Sequence, residues 1–408
     1  MVAQMDVATT KSENVQNGKT AHVSYKDAIQ IATEAVAMLE GGATTRSGIK
    51  RRVDPSKIKY HVTPTTRSGE GGDTLYYVVN YADNAGFALV STSRAEGDPL
   101  IAVTEQGNFT PGEETGNPGF DMYISLLNDR PSPKPEGPTS PIDTTFQGFG
   151  PFYETVVMSE SEVEPMLVVR WGQLYPYNKF CDSPTYPAGC VAIALAQIMS
   201  YHQYPTSFTR TYDNSNIVQS LNWAGIKANY DINYCGTNNI DALAYLIREI
   251  GEQVDMKYSS GESKSSITDA ISSLTKFGYS SNAYIQDYSL NSVQIELDNN
   301  RPVYMKGHYN NEEVGHTWVV DGYYSRHEKL IEYYETSMGG DRTIISETPM
   351  FTNHLHINWG DHGYGNGYYN AGVFDSSNYV ELDEGVQTLS GRTYNTLLQI
   401  LISITPNI

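Results

Sequence analysis

Tyr186-Pro187-Ala188-Gly189-Cys190-Val191-Ala192-Ile193-Ala194-Leu195-Ala196-Gln197-Ile198-Met199 is the stretch that decides the fold. A Pro/Gly turn delivers a thiol to the first turn of a helix that is apolar almost all round. A helix of that kind is buried in the centre of a domain. Its N-terminus carries partial positive charge, which favours the thiolate, the nucleophilic form of cysteine. A structural cysteine opening a core helix would look the same locally, so this stretch by itself leaves both readings open.

A second element favours the chemical reading. Arg301-Pro302-Val303-Tyr304-Met305-Lys306-Gly307 and Gly315-His316-Thr317-Trp318-Val319-Val320-Asp321-Gly322 both read as strands, β-branched and aromatic residues bounded by Gly and Pro. The polar segment from His308 to Val314 suits a hairpin loop, which puts His316 at the mouth of a core strand. A third strand, His354 to Trp359, ends in Asn358-Trp359-Gly360. A Cys at a helix start, a His at a strand start and an Asn on a neighbouring strand are the parts of a cysteine-peptidase site. The thiolate attacks a carbonyl, the imidazolium protects the thiolate and then protonates the leaving amine, and the Asn amide fixes the imidazole.

These motifs resemble the streptopain family of papain-like bacterial cysteine peptidases. The family's Trp-x-Gln element is matched by Trp171-Gly172-Gln173, and its Pro-Tyr-Asn by Pro176-Tyr177-Asn178. Gly189 to Ala192, Gln197 to Met199 and Tyr201 to Pro205 follow in the family's order, then Gly315-His316, Asp321-Gly322 and Asn358-Trp359-Gly360. The resemblance implies Cys190 as nucleophile, His316 as general acid/base and Gln173 as oxyanion-hole donor beside the Cys190 N–H. It implies that Asn358 and Trp359 orient and shield the imidazole. One departure stands out. The family continues its Asn-Trp-Gly with a second Trp and Gly-Gly, where this chain reads Asp361-His362-Gly363-Tyr364-Gly365-Asn366-Gly367. An aromatic beside the cleft has become acidic, which bears on substrate preference and on the active loop but not on the dyad.

The N-terminal part fits a zymogen. Ser24 to Glu40 has Ala28, Ile29, Ile31, Ala32, Ala35, Val36 and Leu39 at helical spacing, with Ser24 as N-cap and Gly41-Gly42 as the stop. Residues 43–72, rich in Thr, Ser, Gly and Arg, read as a loop or mobile stretch. Thr74 to Tyr81 and Gly86 to Ser91 read as two strands around the turn Ala82 to Ala85, and Leu100 to Val103 as a third apolar run. The pattern is similar to the propeptide of streptopain-like zymogens; a generic α+β domain is the bland alternative. Arg130 to Pro141 holds five prolines in twelve residues and reads as an extended, exposed linker, the kind of segment in which proteolysis occurs.

The expected architecture is α+β: a papain-like domain, with its central helix against an antiparallel sheet or barrel, preceded by a small α+β propeptide domain. The expected divisions are 1–20 as a disordered N-terminus, 21–130 as the inhibitory propeptide, 131–164 as a Pro-rich linker holding the maturation site, and 165–408 as the catalytic domain. Maturation is expected between Arg130 and Pro165.

The 408 residues carry 27 Lys and Arg against 47 Asp and Glu, a formal charge of −20, which argues against a nucleic-acid partner. It would modestly favour basic substrates at low salt. No apolar run reaches the ~18 residues of a membrane span, and Met1 to Thr20 has no hydrophobic signal core. A secreted, periplasmic or cell-surface zymogen needs a signal, so the chain is read as starting after a removed one, with Met1 added for expression. Cys181 and Cys235 are read as unpaired thiols, a disulfide being the alternative. His354 and His356 share a strand face with Asn358, two ligands at i, i+2 without an evident third for a metal. His202 is read as a helix-end residue suited to the dipole, His308 as solvent-facing and Asp321 as pairing with a backbone turn.

The expected function is a secreted cysteine endopeptidase made as a zymogen. It would act on protein or peptide substrates through an acyl-enzyme, with its own propeptide as intramolecular inhibitor. That domain would block the cleft or displace His316 and the loops around it. The chemistry requires no cofactor and no metal. A non-catalytic papain-like binding module and an acyl transferase or transglutaminase using the same dyad are the alternatives.

Overall fold

The computed structural model describes residues 9–10, 22–40, 53–62, 74–94, 97–129, 149–212, 215–229, 231–260, 263, 265–308, 315–337, 339–375 and 398–408. The expected helix stop at Gly41-Gly42 and the Pro-rich stretch to Pro141 lie outside the described residues.

The chain opens with the short strand β1 (Thr9–Thr10) and helix α1 (Tyr25–Glu40). Ser24 caps α1 reciprocally: its hydroxyl accepts from the Asp27 N–H at 3.2 Å, while the Asp27 carboxylate accepts from the Ser24 N–H at 3.0 Å. Ala28, Ala32 and Ala35 form the buried stripe of α1. That stripe lies on an antiparallel meander of β2 (Val53–Val62), β3 (Thr74–Tyr81), β4 (Phe87–Ser91) and β5 (Leu100–Thr104). β2 falls inside the stretch read as a loop and corrects it. Its pairing with β3 is a tertiary contact that overrides a Thr-, Ser- and Arg-rich local composition. Helix α2 (Pro118–Asp129) follows, started by Asn117, whose side chain accepts from the Phe120 N–H at 3.1 Å, with Pro118 in the first helical position.

Strand β6 (Phe149–Val163) occupies the second half of the segment read as linker. It pairs along β11 (Gly315–Glu335), with β1 on its other edge. Next comes α3 (Cys190–His202), with every residue from Val191 to Ser200 buried. The hairpin β7 (Ser207–Tyr212) and β8 (Ser215–Ser220) forms a separate two-stranded sheet. Helices α5 (Thr237–Gln253) and α6 (Ile267–Lys276) pack beside α3, with α4 (Trp223–Ile226) against α5, and β9 (Tyr284–Asp287) and α7 (Leu290–Asp298) lead to the C-terminal strands. These are β10 (Val303–His308), β11, β12 (Arg342–Asn358), β13 (Gly367–Asn370) and β14 (Leu398–Ile402). β11 and β12 run well beyond the expected ends at Gly322 and His354. The extra length is a two-stranded arm on which β6 lies. Its faces are exposed or half-buried, so it lacks the apolar alternation by which a core strand is read.

One antiparallel sheet, ordered β2-β3-β4-β5-β13-β12-β11-β10-β14-β9, runs through both halves of the molecule. The join is β5 against β13, with Gly367 opposite Thr104, Tyr368 opposite Val103 and Tyr369 opposite Ala102. Gly367 permits it, because a Cβ there would sit 2.2 Å from the Val103 carbonyl oxygen. In the C-terminal half, one face of the sheet buries Tyr304 and Val319 under α3, α5 and α6. The other buries Trp318 and Trp359 together with Phe120 and Met122 of α2. Trp318 and Trp359 are fully buried, and truncating a core Trp costs about 3–5 kcal/mol. Among the described residues no helix is long and apolar enough to cross a membrane. All three cysteines are free.

Candidate active site

Cys190 stands at the start of α3 behind Gly189, whose φ of +94° is open to glycine but strained for other residues. A Cβ on Gly189 would also lie 2.7 Å from the Met256 sulfur. The turn before it is held from three sides. Asn178 Nδ2 donates to the carbonyls of Pro184 at 3.0 Å and Tyr186 at 2.9 Å, Ser263 Oγ donates to Pro187 O at 2.7 Å, and Ala188 N donates to Gln173 O at 2.8 Å. The Pro176-Tyr177-Asn178 motif therefore has a mechanical role: it braces the turn that presents the thiol. The Ala188 bond also fixes half-buried Gln173 next to Gly189 and Cys190.

His316 enters from β11, opposite Gly307 on β10. Its Nε2 donates to the Trp359 carbonyl at 3.2 Å. Burial alone would push the Cys190 thiol up. The His316 charge and hydrogen bond, with the main chain and hydroxyl of Thr317, outweigh it and hold the thiol below its usual value. For His316 burial works against the imidazolium. The Cys190 charge and hydrogen bond, the Trp359 carbonyl and the Asp361 charge prevail and raise it. The two shifts have opposite sense and a shared cause, the charge and hydrogen bond between Cys190 and His316.

The five expected site residues are brought to one end of the sheet. Trp359 meets the imidazole through its carbonyl, while its indole lies 5.2 Å from Trp318 and donates to Gly365 O at 3.1 Å. Asn358 is engaged elsewhere. Its Nδ2 donates to Val169 O at 2.9 Å and its Oδ1 accepts from Gly360 N at 3.1 Å, so it shapes the turn that positions Trp359.

Several neighbours were not among the expected site residues. Thr317 bonds the Tyr304 hydroxyl at 3.2 Å and also contacts the thiol. Lys306 is buried on the opposite flank of His316 from Trp359, with Nζ 3.4 Å from Ser265 O and its charge felt by Cys190. Asp361, noted in the sequence as an acidic replacement beside the cleft, supports the imidazolium. His362 covers Gly172, where a Cβ would meet the ring at 2.1 Å.

Four histidine and carboxylate readings are corrected or refined. Asp321 serves no turn: its Oδ1 pairs with His356 Nδ1 at 2.6 Å, and its Oδ2 accepts from Leu167 N at 2.8 Å. His202 is pulled down to about 4 by burial, so it is neutral and gives the helix dipole no cation. His308 lies at the end of β10 opposite Gly315, within the ladder rather than in the connecting loop. His354 Nε2 is 3.0 Å from Leu100 O, so the two strand-face histidines take different partners.

The N-terminal half closes the site. Gly119 of α2 packs against it so tightly that a Cβ would lie 2.5 Å from His316 Cδ2 and 2.5 Å from Trp359 Cε3. Met122, one turn on, covers Gly307.

Comparison with known proteins agrees with this geometry. The model of the Peptidase C10 family matches residues 171–369, and that of the Spi protease inhibitor matches residues 20–130. Streptopain from Streptococcus pyogenes serotype M28 (strain MGAS6180) is 23% identical over 385 residues, 84% of each chain. Streptopain from serotype M1 matches to the same extent. The fold is similar to that of a prointerpain A fragment from Prevotella intermedia, at a TM-score of 0.52 and 22% identity, over 86% of this chain and 100% of that one. A thiol-bearing central helix, a sheet shared by two halves and an N-terminal helix seated on the site thus coincide with a peptidase match and an inhibitor match in the same order along the chain. The chain therefore carries a peptidase C10 domain behind a Spi-type inhibitor domain, the organisation of a cysteine peptidase zymogen.

Proposed function

We propose that Cys190 and His316 are the catalytic dyad of a secreted endopeptidase that acts through an acyl-enzyme. The observation that carries this is the meeting of the Cys190 thiol, at the N-terminus of α3, with the His316 imidazole of β11, whose Nε2 is engaged by the Trp359 carbonyl at 3.2 Å. The Cys190 thiolate attacks the scissile carbonyl carbon. The oxyanion is received by the Gln173 side-chain amide and the Cys190 N–H. His316 gives its proton to the leaving amine as the C–N bond breaks, leaving a thioester. His316 then takes a proton from water, whose oxygen displaces the thiolate and releases the acid. Trp359 holds the imidazole through its carbonyl, and Asn358 holds the Trp359 turn. Residues 165–408 form the catalytic domain and 21–130 the inhibitor. Because residues 149–163 are paired in the sheet, maturation falls in 131–148.

Intact-mass analysis over time tests this, with wild type beside Cys190→Ala and a thiol-directed epoxide in a third tube. Trimming in the wild type alone, with one epoxide added at Cys190, is expected. A Cys190→Ala chain that trims itself as fast as the wild type, or a linker-cut wild type that hydrolyses no peptide, overturns the assignment. Secretion is tested by fractionating producing cells; activity confined to the cytoplasm contradicts it.

A further inference from the structure

Beyond the catalytic dyad, the chain buries a second polar cluster where the inhibitor and peptidase halves meet. Glu105 follows β5 and is 7% exposed. Its Oε2 accepts from Arg170 Nη2 at 2.8 Å, and its Oε1 lies 3.5 Å from His356 Nε2. Its own N–H donates to Asn366 O at 2.7 Å, which fixes how far the side chain reaches. His356 is held from behind by Asp321 at 2.6 Å and edge-on by Tyr368 at 5.1 Å between ring centres. Beside these groups lies a cavity of about 210 Å³, lined by Glu105, Arg170, His356, Asn358 and Asn366 with the segment Leu167 to Val169. The charged groups facing His356 are Glu105, Asp321 and, through Glu105, Arg170.

We propose that Arg170 and His356 form a carboxylate-binding socket of the peptidase domain, filled by Glu105 while the inhibitor domain is docked and open to an acidic peptide side chain once it leaves. Docked, the cluster balances two cations against two carboxylates. Without Glu105 it keeps Arg170, His356 and Asp321, one positive charge in excess at a site where uncompensated charge is costly. A guanidinium prefers a carboxylate in that position because its fork presents two parallel N–H groups. Glu105 is the only one of the four that the inhibitor domain supplies, so the socket remains after the domain departs. Burial lowers the His356 imidazole, but Asp321 and then Glu105 raise it to about 8 in the docked state, and Asp321 stays beside it at 2.6 Å when Glu105 leaves.

The site is tested without any need for catalysis, so its failure is distinct from failure of the dyad assignment. In the full-length Cys190→Ala chain, Glu105→Ala is expected to lower the unfolding midpoint by roughly 5–10 °C. Acetate, titrated against chloride at constant ionic strength, is expected to restore it with saturation. Adding Arg170→Met should abolish the rescue. Glu105→Gln, nearly isosteric, keeps the test open if the alanine variant fails to fold. In the processed enzyme, N-acetylglutamate amide but not N-acetylglutamine amide should shift the His356 imidazole resonance. Acetate acting no differently from chloride, or rescuing the Arg170→Met variant equally, overturns the socket. Rescue in the full chain without a glutamate response in the processed enzyme overturns its opening after the inhibitor leaves.

Discussion

Replacing Gly119 with alanine adds a single methyl group, and its consequence can be worked from the contact it would make. The new carbon would stand 2.5 Å from His316 Cδ2 and 2.5 Å from Trp359 Cε3, more than an ångström inside the ~3.5–4.0 Å optimum for carbon pairs. Neither ring is a loose end. His316 is tied to the Trp359 carbonyl at 3.2 Å, and Trp359 donates to Asn366 Oδ1 at 3.0 Å and Gly365 O at 3.1 Å. The helix must therefore move. Local propensity opposes this sign, since Ala is better than Gly in a helix by up to about 1 kcal/mol. Overpacking a well-filled interface costs about 1–3 kcal/mol. The balance is about 1–2 kcal/mol against the docked inhibitor domain, or roughly a 5–30-fold larger undocked population. The assay is the initial rate of Cys190 alkylation by iodoacetamide in the full-length chain, which follows the fraction of molecules with α2 lifted. Ser125→Ala on the same helix is the control that alters propensity alone. If Gly119→Ala raises the unfolding midpoint and leaves alkylation as slow as in the parent, the α2 contact is not what closes the site.

Other consequences can be measured directly. Burial pulls His356 down, but Asp321 and Glu105 outweigh it and raise it to about 8. This contribution is fully present below the unfolded value of about 6.5 and is lost as pH rises through 8, up to about 2 kcal/mol. The unfolding midpoint of Cys190→Ala should fall between pH 6.5 and 9, and His356→Gln should flatten that slope; an equal slope in both chains rules out His356 as the source. Because the Cys190 thiol is depressed and His316 raised, alkylation of the processed enzyme should stay fast well below pH 8, and His316→Ala should return the profile to an ordinary thiol near ~8.5. A wild-type rate that climbs only through ~8.5 contradicts the ion pair. Gly367→Ala would place a carbon 2.2 Å from Val103 O and should weaken the β5–β13 join, speeding alkylation in the full chain. Unchanged alkylation and an unchanged midpoint would show the join to be dispensable.

The sequence revealed most where the determinants were local. The α1 stripe with its Ser24 cap, the apolar runs of β3, β4 and β5, and the apolar α3 behind Gly189 all report their own burial. What escaped was whatever depends on partners far along the chain. β2 is hidden in a polar stretch because its pairing with β3 is tertiary. β6 and the outer parts of β11 and β12 form an arm with no buried face, so neither apolar alternation nor turn residues marked them. α2 had a usable signal in Asn117-Pro118, a cap followed by a first-turn proline. Gly119 gave none, since a glycine chosen for close approach looks like any other. The site residues divide in the same way. Cys190 and His316 were picked out by position within their own elements. Asn358 was assigned to the imidazole, whereas its amide braces Val169 and Gly360. Glu105, Arg170, Asp321 and His356 converge from four separate segments, a convergence that spacing cannot show.

Among the contacts that hold the inhibitor domain, three unlike kinds stand out: main-chain pairing of β5 with β13, the apolar seat of α2 on His316 and Trp359, and the Glu105 ion pair. None of them involves residues 131–148. A cut there leaves all of these contacts in place, so the two halves should stay associated. What the cut changes is the standing of the inhibitor, from a tethered group at millimolar effective concentration to a free ligand. Activity of the nicked protein should then rise on dilution and fall again when released inhibitor domain is added back. Specific activity after nicking, measured across a thousand-fold dilution series, separates the two cases. A rise towards a plateau means that the contacts, not the peptide link, enforce latency. Full activity at every dilution from the first minute means that the cut alone unseats the domain, and that the three contacts hold only while the chain is whole.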